Sequence, residues 1–292
     1  MPVPVASLRL TFKNILFPTD FSPASEHALP CALAIARLYG SKVFVTHAVA
    51  PEPPLAIPLE PVPMDMDPLW QDARRKMSRF LETDCIRDTA REGILEQGDL
   101  WRVLDDVSHR HSIDLIVLGS HGRHGVKKLV LGSTAEQIFR RARCPVMTVG
   151  PDVKPMEHRT IRHVVFATDF SAGSLKALPY AFSLAEETQA HLTLAHLIPL
   201  VPMLQQEEVR EQGVRRLREL VPPEATDWCE PELFVGFDFP AEGILRLAAD
   251  RHADLIVMGV HSRAARTSAH LPWAIAYEVV CHAPCPVVTV RD

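Results

Sequence analysis

The chain repeats itself. FPTDFSPAS at 17–25 returns as FATDFSAGS at 166–174, and Ala-Leu-Pro at 28–30 returns at 177–179, both at a separation of 149 residues. His47 and His196 keep that separation. DLIVLGSHGR at 114–123 returns as DLIVMGVHSR at 254–263, a separation of 140, and CPVMTV at 144–149 returns as CPVVTV at 285–290, a separation of 141. Four matches in the same order along two halves mean a duplication, so both halves must fold alike. The separation shrinks after the second strand, which leaves an insertion in the first copy. The Pro-rich run from Pro51 to Pro68 is its natural place and reads as an irregular loop. A length of 292 residues suits two domains. The turn-rich stretch Gly150 to Pro155 divides them, so the expected domains are 1–150 and 156–292.

Each copy alternates strand and helix. NILFPT is a short apolar run ending in turn residues, and Ser22-Pro23 then offers an N-cap hydroxyl with proline at the first helical position. Ala28, Leu29, Ala32, Leu33, Ile35 and Ala36 give one helix from there its apolar face, and Gly40 ends it. Lys42 to Val49 reads as the second strand, Trp70 to Thr89 as a second helix, Ile94 to Glu96 as a brief strand and Leu100 to His111 as a helix. Asp114 to Leu118 and Pro145 to Val149 are β-branched runs between breakers, typical of strands buried on both faces of a parallel sheet. The expected fold class is α/β: two tandem doubly wound, Rossmann-like domains, each with a five-stranded parallel sheet and its own core. Pairing of the CPVMTV and CPVVTV edge strands would join them as an internal pseudo-dimer and leave neither edge open.

Charge and composition narrow the partners. Lys and Arg total 31 against 36 Asp and Glu, so a protein that works by neutralising nucleic-acid phosphates is not expected. Apolar residues make up 47% and charged ones 23%, which is ordinary for a folded globular chain. The longest mostly apolar stretch, Leu192 to Leu204, is broken by Pro199 and Pro202 and falls short of the roughly 20 residues a membrane span needs. The first residues lack a signal-peptide pattern, and the six cysteines form no C-x-x-C pair, so a cytoplasmic protein with reduced thiols is expected.

In doubly wound sheets ligands bind beyond the C-terminal strand ends, where the strand order reverses. Thr19-Asp20 follows the first strand, and Gly119-Ser120-His121-Gly122 follows the fourth. After Gly122 come nine residues, and then Gly132-Ser133-Thr134 opens a helix, giving G-x2-G-x9-G-S. Taken singly, such glycines punctuate turns. Together they describe a phosphate cradle: Gly119 and Gly122 permit close backbone approach, and Gly132, Ser133 and Thr134 offer amides and hydroxyls at a helix N-terminus. Asp20 is placed to accept hydrogen bonds from ribose hydroxyls or an adenine amine.

PTDFS after the first strand, G-S-H-G-x9-G-S-T after the fourth and the terminal CPVMTV together resemble the nucleotide-binding pattern of the universal stress protein (UspA-like) family. The resemblance covers both halves and implies a tandem member that binds ATP, or AMP or ADP, with or without magnesium, and serves stress tolerance. It implies that Pro18, Thr19 and Asp20 lie near base and ribose and that Ala48 meets adenine through its backbone. Gly119, Gly122, Arg123, Gly132, Ser133 and Thr134 would surround ribose and phosphates. The second copy keeps Asp169 and Gly259 but has Ser262 in place of Gly122. Either Pro272 or Trp273 stands opposite Gly132, depending on the end from which one counts, and Ala274 replaces Ser133. One working site, in the first half, is expected.

Rival chemistries fit less well. No G-x4-G-K-[ST] loop or strand-end acid pair points to phosphoryl transfer, and Lys127, Lys128 and Arg123 read as a solvated basic turn. His121 has a twin, His261, in the degraded half, which favours a structural role. No catalytic residue is therefore expected, with slow ATP hydrolysis left open. A phospho-acceptor receiver would need an aspartate ending strand three, where Glu96 to Asp99 reads as a turn into a helix. A zinc or small-ligand module in the second half stays open: Cys281, His282 and Cys285, with His261 and His270, lack a standard zinc spacing. The reading is a sensor or regulator that binds adenine nucleotide and neither nucleic acid nor membrane. A further homodimer beyond the pseudo-dimer remains open.

Overall fold

The computed structural model describes residues 10–49, 67–120, 131–154, 160–200, 202–223, 225, 229–260 and 272–291. The first half runs β1 (Asn14–Pro18), α1 (Pro23–Glu26), α2 (Leu29–Tyr39), β2 (Lys42–Val49), α3 (Asp67–Leu81), β3 (Arg91–Gln97), α4 (Leu100–Arg110), β4 (Leu115–Gly119), α5 (Ser133–Arg141) and β5 (Val146–Val149). The second half repeats it as β6 (His163–Ala167), α6 (Ala172–Leu175), α7 (Leu178–Thr188), β7 (His191–Ile198), α8 (Met203–Glu219), β8 (Glu232–Phe237), α9 (Pro240–Asp250), β9 (Leu255–Val260), α10 (Pro272–His282) and β10 (Val287–Arg291). The strands form one ten-stranded sheet in the order β3-β2-β1-β4-β5-β10-β9-β6-β7-β8. Every pairing within a half is parallel. The central one is antiparallel, Met147 facing Val288. The two repeated edge strands thus pair with each other, as their exposed ladders demand.

Several local expectations shift. The helix read from Ser22 to Gly40 is two helices, α1 and α2. Pro30 lacks the amide that would bond the preceding turn, so the chain restarts there with proline in the first turn. The helix read from Trp70 to Thr89 begins at Asp67, taking Pro68 into its first turn, and ends at Leu81, before a short turn at Asp84–Ile86. The brief strand at Ile94 to Glu96 spans Arg91–Gln97, because Arg91 to Gln97 all find register partners on β2. Asp99 caps α4 by accepting from the Arg102 amide, so the region after strand three is the expected turn into a helix. Most of the Pro-rich insertion lies outside the described residues.

The core is organised by sheet face, where the sequence suggested a core per half. Ile15, Phe17, Val43, Phe166 and Phe182 belong to one cluster. Leu16, Phe44, Ile138, Val165 and Val279 belong to the other. Alternating side chains on one continuous sheet leave no other arrangement. Contacts across the halves tighten it: the Phe12 and Tyr180 rings stack at 6.0 Å and the Ser183 hydroxyl donates to the Leu10 carbonyl at 2.9 Å, while His27 Nε2 donates to the Val153 carbonyl of the connecting stretch at 2.8 Å.

Candidate functional site

The turn after β1 is held by short hydrogen bonds. The Thr19 amide donates to the Thr46 carbonyl at 2.9 Å, prolonging the ladder past Pro18, which itself has no amide to give. The Phe21 amide donates to Thr19 Oγ1 at 2.9 Å, and the Ser22 amide donates to Asp20 Oδ1 at 3.0 Å. Ser22 Oγ then caps α1 through the Ser25 amide at 3.2 Å. This network forces Phe21 into the left-handed region, φ 57°, where a bulky residue rarely sits. Its ring packs 4.7 Å from the His47 ring and 6.0 Å from Phe80. His47 Nδ1 lies 2.8 Å from the Thr19 carbonyl. A carbonyl can only accept, so Nδ1 carries the proton. The half-buried Ala48 follows on β2.

The second half rebuilds the turn almost atom for atom. The Phe170 amide donates to Thr168 Oγ1 at 2.9 Å, the Ser171 amide to Asp169 Oδ1 at 2.9 Å, and His196 Nδ1 to the Thr168 carbonyl at 2.8 Å. Phe170 repeats the positive φ, 62°. Here Arg216 lies over the Phe170 ring at 4.0 Å, and burial, reinforced by Arg216, holds the His196 imidazole below its ordinary pKa. One oxygen of each aspartate is therefore spent on a turn that both halves need. This turn role stands beside the ligand role that the sequence suggests for Asp20.

Strand order places the remaining residues. Because β1 lies between β2 and β4, successive crossovers leave β1 in opposite directions, and the order reverses between β1 and β4. Thr19-Asp20, Ala48 and Gly119 thus meet on three adjoining strand ends at that reversal. The Ser120 amide donates to the Val149 carbonyl at 2.9 Å, and its carbonyl accepts from the Gly132 amide at 2.8 Å. That bond fastens the start of α5 to the end of β4. It also corrects one expectation: the Gly132 amide is engaged and does not point at a ligand. Its φ of −58° suits any residue, so what recommends glycine here is the absent side chain. Ser133 is exposed and Thr134 half-buried. Their amides open the helix and precede any intrahelical acceptor, at its electropositive end. Gly122 and Arg123, like His121, Lys127 and Lys128, lie outside the described residues.

The sequence reading missed Tyr277. From α10 in the other half, its hydroxyl accepts from the Leu131 amide at 3.3 Å, one residue before the α5 cap, and its ring meets Phe139 edge-on at 6.3 Å. Nothing in the repeat pattern marks it, since Glu136 occupies the matching position of the first half.

In the second half the cradle is remade. α5 and α10 end at matching residues, Arg141 and His282, yet α10 starts at Pro272, two residues earlier in that frame. The helix extends about 3 Å further, at 1.5 Å per residue, and Trp273 is the residue opposite Gly132. Gly259 has a local reason: a Cβ there would lie 2.4 Å from the Gly173 carbonyl oxygen and 2.4 Å from Ser174 Cα. Close packing of α6 on β9 demands glycine with no ligand involved. As for metals, His261 and His270 lie outside the described residues, burial pushes the Cys281 thiol up and that of Cys285 to about 12, and His282 Nδ1 donates to the Glu278 carbonyl at 2.8 Å. Among the described residues no three His, Cys, Asp or Glu side chains are grouped so as to hold a metal ion.

The sequence pattern of the universal stress protein family matches residues 11–150 and again 160–291. The chain belongs to that family. A universal stress protein of Mycolicibacterium smegmatis is similar along nearly its whole length, 26% identical over 299 residues that cover 95% of this chain and 97% of that one. One from Methanocaldococcus jannaschii is 27% identical over 142 residues, covering 47% of this chain and 82% of its own. A crystal structure of a universal stress protein from Archaeoglobus fulgidus aligns with a TM-score of 0.72 at 20% identity, covering 95% of this chain and 98% of that one. The tandem two-domain, Rossmann-like fold of this universal stress protein is therefore shared across whole chains.

Proposed function

We propose that this universal stress protein binds one adenine nucleotide, ATP or the ADP or AMP formed from it, in its N-terminal half, and that occupancy makes it a sensor or regulator in a stress response. The observation that carries the reading is the convergence of three strand ends and the α5 N-terminus at the reversal of strand order. Pro18, Thr19 and Ala48 would border the base, and Asp20 the ribose hydroxyls. Gly119, with Gly122 and Arg123, would border the phosphates, and the Ser133 and Thr134 amides would hold them. Gly132 contributes room. Any magnesium would be carried by the nucleotide phosphates. The protein is read as a cytoplasmic binding protein, with at most slow ATP hydrolysis and no nucleic-acid partner. Among the described residues no helix is long and apolar enough to cross a membrane. We take 1–150 and 156–292 as the two units, the second a scaffold or an altered site.

Titration calorimetry with ATP is expected to give one site per chain. Gly132→Trp is expected to stay folded, because φ at this position suits any residue and the amide bond to Ser120 survives the change. It should lose ATP, while adenosine, which needs no phosphate cradle, loses less. Wild-type ATP affinity in the folded variant would place the phosphates elsewhere, and two equivalent sites would refute the assignment to one half.

A further inference from the structure

The C-terminal half holds a cavity at its strand ends of about 520 Å3, counting the part open to solvent. It occupies the position that the candidate nucleotide site takes in the other half, but its chemistry differs. Leu197 and Ile275 line it where the first half has Ala48 and Thr134. Leu197 is deliberately accommodated: a Cβ at Gly243 or Gly236 would lie 2.7 or 2.9 Å from its Cδ1. The corresponding first-half residues are Val103 and Glu96, so those two glycines clear the space that the leucine fills. Ile244 and Met258 complete an apolar wall, and the polar lining includes Thr168 and Asp169.

The same end of the sheet carries unusual exposed apolar groups. Leu200, just beyond β7, is 71% exposed, Met203 and Leu204 at the start of α8 are 85% and 99% exposed, and Phe239, beside the cavity residue Pro240, is 61% exposed. These are four of the five exposed large hydrophobic residues described in the whole chain. An apolar cavity with a few convergent polar groups is the usual form of a small-molecule site. Leu197 and Ile275 replace the small Ala48 and the hydroxyl-bearing Thr134 of the first half, so the lining favours an apolar body over a phosphate.

We propose that this cavity binds a small uncharged or cationic molecule with an apolar body and a hydrogen-bond-donating head, a ligand distinct from the nucleotide of the N-terminal half. The apolar body rests on Leu197, Ile244, Met258 and Ile275, and the head faces Thr168 and Asp169. Nothing in this depends on nucleotide occupying the first half.

The test uses the full chain and N-phenyl-1-naphthylamine, an uncharged apolar fluorophore with a single N–H donor. Saturable binding of one probe per chain is expected, with ATP unable to displace it and Gly132→Trp leaving it intact. Ile275→Asp, at a half-buried position, should weaken the probe at least tenfold while the thermal midpoint stays near wild type. Ile275→Thr, which installs the first-half residue, should weaken it several-fold and keeps the test alive if the aspartate variant does not fold. Displacement by ATP would make the cavity a second nucleotide site and overturn the proposal. Undiminished binding in Ile275→Thr, combined with loss in the exposed double variant Leu200→Ser/Leu204→Ser, would assign the probe to the surface and overturn it as well.

Discussion

Duplication supplies an internal control for the role of Asp20. Asp20 and Asp169 accept from the Ser22 and Ser171 amides at 3.0 and 2.9 Å in the same turn, so replacing either with alanine removes that amide bond, and at Asp169 the bond from the Ser171 hydroxyl as well. Both turns are at least partly solvated, so each loss should cost about 1 kcal/mol. For a chain of this size that lowers the thermal midpoint by about 2–4 °C per substitution, and somewhat more in Asp169→Ala, which also loses the Ser171 hydroxyl bond. Only Asp20 adjoins the proposed nucleotide site. Its carboxylate, if hydrogen-bonded to ribose, adds about 1.5–3 kcal/mol to binding, so Asp20→Ala should weaken ATP roughly 10- to 150-fold. Asp169→Ala should leave ATP affinity within error of wild type. Scanning calorimetry of the nucleotide-free variants and titration calorimetry with ATP separate the two effects. Equal weakening by both substitutions would mean that the turn acts through fold stability alone. An affinity unchanged in Asp20→Ala beside a lowered midpoint would make this carboxylate a turn residue and nothing more.

Other outcomes follow from the same contacts. Gly259→Ala forces a Cβ against backbone atoms of Gly173 and Ser174, which no side-chain adjustment can relieve, so a loss of about 1–3 kcal/mol in urea unfolding is expected; wild-type stability would show that α6 is free to move. Tyr277→Phe removes the acceptor for the Leu131 amide beside the α5 cap, so ATP affinity should fall a few-fold while the thermal midpoint moves little, and unchanged affinity would uncouple the halves. Burial lowers the folded pKa of His196 and of His163, so the unfolded chain binds more protons between the folded value and about 6.5. Stability therefore rises with pH through that window and is lost as pH falls through it. His196→Gln should flatten the midpoint-against-pH curve below about pH 6.5, and an unaltered slope would exclude His196 as a contributor.

The residues that act through near neighbours were legible in the chain itself. Ser22 beside Pro23 announced the cap of α1, the β-branched run to Leu118 announced β4, and the repeated CPVMTV and CPVVTV announced that the two edge strands pair. Each rests on turn chemistry, periodicity or self-similarity, which short stretches of sequence express. The placing of Thr19, Asp20 and Gly119 at strand ends followed from the strand–helix alternation, whereas Ala48 came from the family resemblance. What only the tertiary structure decided depends on segments meeting from far apart. Tyr277 reaches the Leu131 amide across 146 residues, Gly259 is required by the approach of α6, and Leu197 is seated by Gly236 and Gly243 from two other elements. The Gly132 amide is engaged by the carbonyl of Ser120, twelve residues back along the chain, which spacing does not encode. Two cores, one per sheet face, replaced one core per half because the antiparallel pairing of β5 with β10 makes a single sheet. Local pattern selects the elements, whereas van der Waals exclusion and hydrogen-bond satisfaction between distant elements choose which amides, glycines and aromatic side chains remain available for a ligand.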